Sequence, residues 1–241
     1  MLAAEKKMTI GSLELEGVQF EIQAPADAVL NVGKLLADGG AVGVFAGTLN
    51  HTGDIRANAL VRDEAGRIVL KTQSDVTATA GSTISANGRS GGDILVQSGH
   101  TRIAGQVTAE GSAGPGGDIK LLGDRVSLSE NALVDASGAG AGGQIRIGGD
   151  YQGANPSIAN ATYTFIGPNA VLRADSRNAG NGGRVIVWAD KSTQYYGSLS
   201  ARGGAASGNG GFAEVSGKES LIFAGNVDLG ASNGRAGGPP S

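Results

Sequence analysis

A pair of glycines followed by two aliphatic residues, one position apart, recurs about every 26 residues along this chain. A fixed period of this length is typical of stacked repeats, in which each unit contacts only its neighbours and the functional surface is a long side wall. The glycines that mark the period, paired except at the second position, are Gly39-Gly40, Gly66, Gly91-Gly92, Gly116-Gly117, Gly142-Gly143, Gly182-Gly183, Gly210-Gly211 and Gly237-Gly238.

One repeat, residues 116–141, shows what each unit forms. Ile119 and Leu121 alternate with polar neighbours, and so do Val126 and Leu128. Alternation with a period of two predicts strands with one buried face. A third short run at 133–136 completes the unit, and glycine, serine, asparagine and aspartate separate the three runs as turn residues do. Each repeat is therefore predicted to contain three short strands and three turns.

The third strand provides an independent test of the period, because it repeats the pattern aliphatic-x-Ala. The aliphatic residues of this column are Leu35, Ile55, Ile84, Val107, Val134, Leu172 and Leu199, and Val227 precedes a leucine instead of an alanine. Glycine and β-branched residues are too frequent for helices, and no apolar stripe with a period of 3.6 residues is present.

These patterns predict an all-β fold, a three-sided parallel β-helix of about eight coils of ~26 residues. At the spacing of ~4.8 Å between neighbouring strands, eight coils give a rod about 40 Å long. We expect one continuous domain, with N-terminal strands or a first coil at 1–30 and the β-helix at 31–241.

The composition excludes several other classes. The net charge of -3 comes without a basic stripe, so nucleic acid is not expected as a partner. Cysteine is absent, which excludes thiolate chemistry. No apolar run approaches the ~20 residues of a membrane span, so no membrane insertion is expected, and residues 1–12 lack the apolar segment of a signal peptide.

One repeat is longer than the others, and the excess is predicted to form an inserted loop at 149–168. The loop contains Tyr151, Tyr163 and Phe165. Insertions in solenoids form loops on one face. The aromatic side chains either cover a strip of the wall or contact a ligand, and the three residues are therefore candidates for ligand contact.

Three carboxylates occupy equivalent positions after the glycine pairs, namely Asp124, Asp150 and Asp190. The sequence predicts that they form a column at one corner, and that Asp93 and Asp118 form a shorter column at another. Three alternatives remain open for the longer column. Each aspartate could accept N–H groups of its own turn, the three could bind a calcium-like cation, or a pair could cleave glycans.

Several phrases of the sequence resemble the filamentous-haemagglutinin-type exoproteins of Gram-negative bacteria. They are the segments 30–47, 147–153, 182–190, 195–204 and 209–218. The resemblance covers about residues 30 to 235. It implies that the β-helix is right-handed, that the parent protein is exported by a two-partner system with an outer-membrane transporter, and that the chain is adhesive. On the same ground we expect a secreted or cell-surface location and contact with host-cell or surface glycans or receptors.

The expected function is therefore that of a repetitive rod segment of an adhesin, with no catalytic residues, no cofactor and no metal site beyond the three candidate aspartates. The alternative is a polysaccharide-acting lyase or hydrolase, since parallel β-helices also carry such enzymes. A self-associating solenoid is the third possibility, but the chain lacks flat arrays of Thr-x-Thr.

Overall fold

The computed structural model describes residues 7–15, 18–24, 29–59, 66–129 and 131–238. They form an all-β solenoid of about eight stacked parallel coils. The one helical element among these residues is a single 3-10 turn at Tyr151–Gly153. The expectation about a signal peptide falls partly on residues 1–6, which lie outside the described part of the chain.

The strands follow one another along the chain in the order of the coils. Those of the first four coils are β1 (Lys7–Glu14), β2 (Gln19–Gln23), β3 (Val29–Leu36), β4 (Ala41–Arg56), β5 (Arg67–Ala78), β6 (Thr83–Ser85), β7 (Asp93–Ile103) and β8 (Gln106–Thr108). The next two coils contain β9 (Asp118–Leu128), β10 (Leu133–Asp135), β11 (Gln144–Ile147), β12 (Tyr163–Ile166) and β13 (Val171–Arg173). The last two contain β14 (Arg184–Ala189), β15 (Ser192–Tyr195), β16 (Ser198–Ser200), β17 (Phe212–Gly217), β18 (Ser220–Phe223) and β19 (Asn226–Asp228).

Both predicted columns are confirmed by the register of the parallel pairs, and their residues are buried except in the last coil. The first column runs through Val42, Ile68, Ile94, Ile119, Ile145, Val185 and Ala213. The third-strand column runs without interruption from Leu35 to Val227. Each position therefore packs on its equivalent in the next coil, and the β1 and β2 strands pair with β3 and β4 in the same ladder.

The glycine pairs are required because neighbouring coils pass too close for a side chain. A Cβ atom on Gly142 would lie 1.9 Å from the carbonyl oxygen of Ala174 in the next coil. A Cβ on Gly143 would lie 2.2 Å from that of Gly117 in the preceding coil. Contacts this short exclude every residue with a side chain, and the steric constraint explains why the glycines mark the period.

The second face of the core is partly polar. Buried threonines occupy inward positions at Thr101, Thr164 and Thr193. Each hydroxyl donates a hydrogen bond of 2.7–2.8 Å to a backbone carbonyl of the next coil. The acceptors are the carbonyl oxygens of Leu122, Trp188 and Ser216, respectively. Such bonds remove the cost of burying a hydroxyl group.

The inserted loop is shorter than predicted and occupies residues 148–162. The chain leaves the stack after Ile147 at Gly148, whose φ of 71° is the left-handed conformation that favours glycine. The predicted boundary at 168 is wrong, because Tyr163–Ile166 form β12, which pairs with β9 and β15. Thr164 and Ile166 of this strand are buried and fill the same columns as Val126 and Leu128.

We predict that Ile145→Asp unfolds the solenoid, because Ile145 is 0% exposed and an aspartate there would be an unpaired charge in the core. The thermal midpoint should fall by about 10 °C or more, or cooperative unfolding should disappear. The control is Gln144→Asp, one position earlier on the outward face. Equal midpoints for the two variants in thermal circular dichroism would contradict the assignment of inward and outward positions.

A histidine is completely buried between coils. His51 is 0% exposed, and its Nδ1 and Nε2 atoms lie 3.2 Å and 2.9 Å from the carbonyl oxygens of Val32 and Thr83. Burial holds the pKa of His51 below its usual 6.5, although the two carbonyls act in the opposite direction. Below pH 6.5 the unfolded chain therefore binds more protons than the folded chain, and stability is lost as the pH falls.

We predict that the thermal midpoint decreases between pH 7.5 and pH 5.5, and that His51→Gln reduces this slope. Each kcal/mol lost should lower the midpoint by about 2–4 °C in a chain of this size. Gln106→Ala, at an exposed position without a titratable group, should leave the slope unchanged. Thermal unfolding of the three proteins across this pH range is the measurement, and a slope that His51→Gln does not change would contradict the assignment.

Candidate functional site

Two of the three predicted ligand-contact residues lie together on the outer surface of the second strand of each coil. Successive coils place His100, Arg125 and Tyr163 in one outward column. The neighbouring outward column contains Arg102, Ser127, Phe165 and Gln194. We call this surface, formed by His100, Arg102, Arg125, Tyr163, Phe165 and Gln194, the aromatic-basic face. It lines a shallow groove of about 330 Å³.

The aromatic rings of this face are held in place by neighbours. Tyr163 is 40% exposed, and the guanidinium carbon of Arg125 lies 5.2 Å from the centre of its ring. A cation over an aromatic face is attracted by the ring quadrupole. Phe165 packs on Tyr196, with 6.0 Å between the ring centres. The rings are therefore ordered by these contacts and still accessible from outside.

The basic end of the face is anchored by one carboxylate outside the groove. Arg102 donates from Nη1 to Asp75 Oδ1 at 2.6 Å, and Nδ1 of His100 lies 3.4 Å from the same oxygen. Among the described residues that line the groove there is no carboxylate. Gln194 has no hydrogen-bond partner for its amide within the described part of the chain, so the amide can bind a ligand.

The third candidate, Tyr151, does not join this face. It lies in the 3-10 turn of the inserted loop, and its ring packs edge-on against Phe212 with 5.6 Å between the centres. The guanidinium of Arg184 lies 5.1 Å from the ring of Tyr151 and 5.2 Å from that of Phe212. Tyr151 therefore covers the outer surface of the first strands, while Tyr163 and Phe165 belong to the second.

The predicted column of Asp124, Asp150 and Asp190 is not formed, because the loop shifts the register at this corner. Residue 162 is the next-coil neighbour of Asp124, and Asp150 lies inside the loop. No group of three or more acidic or histidine side chains that could hold a metal ion occurs among the described residues. The shorter column is confirmed, since Asp93 and Asp118 are in register.

The three aspartates instead form hydrogen bonds that fasten the loop. Asp124 accepts a hydrogen bond from the Thr162 hydroxyl. Asp190 accepts from Trp188 Nε1 at 3.0 Å and from Asn160 Nδ2 at 3.1 Å. Burial raises the pKa of Asp150, but hydrogen bonds from Asn155 and from the Tyr151 N–H hold it below its usual value.

A second, more polar groove of about 690 Å³ lies where the third strands end. Asp175 accepts hydrogen bonds from Arg202, and Arg177 pairs with Glu110. Asp135 is 5% exposed, and burial raises the pKa of its carboxyl group. Most of the charges of this groove are thus neutralised within the protein.

The sequence argument missed the arginines of the aromatic-basic face. Their signal was present, because Arg102 and Arg125 occupy the polar positions of alternating strands, and these positions must point outward. The neighbours of Tyr163 could not be identified without the true end of the loop.

No family model and no curated protein sequence matches this chain. Among solved structures, it is similar to the HMW1 secretion domain from Haemophilus influenzae, with 23% sequence identity and a TM-score of 0.54. The match covers 89% of this chain and 65% of that chain, so this chain spans about two thirds of its length. The similarity shows that the two share a fold.

Proposed function

We propose that this chain is a rod segment of an exported bacterial exoprotein of the filamentous-haemagglutinin type, and that it attaches to glycans through the aromatic-basic face. The observation that carries the proposal is the outward placement of Tyr163, Phe165 and two arginines at coil spacing on a rigid wall. The apolar columns behind these residues hold the wall in one shape.

The chemistry of the face suits sugar rings. Exposed aromatic rings provide apolar area for the C–H side of a pyranose, and their χ angles are already restricted by packing. The guanidinium of Arg125 and the amide of Gln194 provide donors for ring hydroxyls and for acidic substituents. Neighbouring coils repeat these groups at ~4.8 Å, close to the length of one sugar ring.

Export through a two-partner system is part of the proposal. The sequence phrases that resemble haemagglutinin-type exoproteins support it, and so does the fold shared with a secretion domain. The described residues contain no helix that is long and apolar enough to span a membrane. A gene for an outer-membrane transporter beside the coding sequence would support this part of the proposal, and its absence from the native locus would count against it.

We predict that Tyr163→Ala weakens binding of the purified protein to its glycans on an array by about tenfold, because the stacking surface is lost. The matched control is Gln106→Ala, an exposed position on the third strand. Circular dichroism should show that both variants stay folded. Equal binding by Tyr163→Ala and the parent protein, or no binding to any glycan, would contradict the glycan-binding role.

Cleavage of polysaccharides is a second candidate, because the buried Asp135 with its raised pKa is the kind of carboxyl group that donates a proton. The partner carboxylate Asp175 is committed to Arg202, however, and we expect no release of reducing or unsaturated sugars from acidic polysaccharides. Cleavage that Asp135→Asn abolishes, and that Asp150→Asn does not affect, would reverse the order of the two candidates.

A further inference from the structure

A third groove is lined by amide and guanidinium side chains, which offer hydrogen-bond donors. It has a volume of about 630 Å³ and lies along the glycine pairs of the last coils, before β11, β14 and β17. Its side chains with polar groups are Gln144, Asn181, Arg184, Asn209 and Arg235. None of the described residues that line it is acidic. We call it the donor groove.

The amide groups of the groove have a fixed orientation. Oδ1 of Asn181 accepts the backbone N–H of Asn209 at 2.8 Å, and Oδ1 of Asn209 accepts that of Arg235 at 2.9 Å. Oε1 of Gln144 accepts from the guanidinium of Arg146. A backbone N–H or a guanidinium can only donate, so the accepting atom of each amide must be its oxygen. The NH₂ groups of Gln144, Asn181 and Asn209 therefore remain as donors, and none of them has an acceptor among the described residues.

Arg184 carries a positive charge that forms no ion pair with a described carboxylate, although Asp150 lies close enough to interact with it electrostatically. Its guanidinium lies 5.1 Å from the ring of Tyr151 and 5.2 Å from that of Phe212, and its buried Nε has no hydrogen-bond partner in the described part of the chain. The two nearby carboxylates have other contacts. Asp150 bonds to Tyr151 and Asn155, and Glu214 accepts the N–H of Gln152 at 3.0 Å. Arg235 also forms no ion pair with a described residue.

We propose that the donor groove binds the oxyanions of an acidic oligosaccharide, carboxylate or sulfate. An anion would provide the acceptors that the guanidinium and amide groups lack, and guanidinium groups bind both kinds of oxyanion through two parallel hydrogen bonds. Asn181 and Asn209 lie in successive coils, so their donors follow the rod axis at ~4.8 Å. A linear chain with a charge on each sugar matches this direction. The donor groove is separate from the aromatic-basic face, so its binding of anions does not depend on glycan binding by that face.

The test uses the full chain with ¹⁵N-labelled arginine and asparagine side chains. Three probes of equal length are added: an oligogalacturonate, a sulfated glucose oligomer and the neutral glucose oligomer. We expect shifts of the Arg184 Nε–H signal and of the Asn181 and Asn209 NH₂ signals with one or both anionic probes, and none with the neutral probe. The two anionic probes distinguish carboxylate from sulfate as the preferred group.

A set of substitutions assigns the binding to residues. Arg184→Gln should weaken binding of the preferred anionic probe by about tenfold in calorimetry, and Arg184→Lys should restore only part of it, because lysine has the charge without the planar fork. Arg235→Gln, a second variant in the donor groove that does not touch the two rings, should also weaken binding. Arg173→Gln, at an exposed position of the third strand that belongs to neither surface, should leave this affinity unchanged. Arg102→Gln tests whether the probe binds the aromatic-basic face instead.

The proposal is overturned if the anionic probes bind no more tightly than the neutral one, or if Arg184→Gln and Arg235→Gln both stay within twofold of the parent. A loss with Arg102→Gln alone would place the anion on the other face and also overturn it. Neutral-glycan binding that depends on Tyr163 would be unaffected by any of these results, so failure of the donor groove and failure of the proposed adhesive role are distinguishable.

Discussion

The whole solenoid depends on one close approach between coils, at the point where each turn closes. The N–H of the second glycine in a pair donates to the carbonyl of the alanine that ends the third strand, at 2.7–2.8 Å in five successive coils. The five bonds join Gly92 to Ala86, Gly117 to Ala109, Gly143 to Ala136, Gly183 to Ala174 and Gly211 to Ala201. Because the coils above and below leave no room for a Cβ at these glycines, and because the alanines are fully buried, neither residue can be enlarged. The position of every strand follows from this closure.

A stack closed in this way separates its inward and outward positions completely. Inward positions must fit the residue above and below. Most are aliphatic residues, alanine or a threonine whose hydroxyl is hydrogen-bonded, and His51 and Tyr195 are buried exceptions. Outward positions have no such requirement. Arginine, tyrosine and amide side chains can therefore vary from coil to coil while the ladder is unchanged, and the aromatic-basic face and the donor groove are two such sets.

The sequence was sufficient to predict the coils, because the columns depend on local alternation and a constant period. It was insufficient wherever the period is broken. The length of the insertion reveals that a loop exists and does not reveal where the chain returns, although the alternation of Thr164 and Ile166 with Tyr163 and Phe165 was a usable sign. The same uncertainty produced the wrong column of Asp124, Asp150 and Asp190. His51 was unremarkable in the sequence, since nothing in a single repeat indicates that a polar ring will be enclosed between two carbonyl groups.

The inserted loop of residues 148–162 begins and ends at the same corner without disturbing the pairing on either side, since β11 pairs with β14 and β12 pairs with β15 in unbroken register. The ladder fixes the two ends of the loop, and hydrogen bonds accepted by Asp124, Asp150 and Asp190 fasten the rest. This corner is therefore a suitable site for inserting a foreign peptide. Foreign peptides of different lengths could replace the loop there while the pairing of the strands on either side is kept.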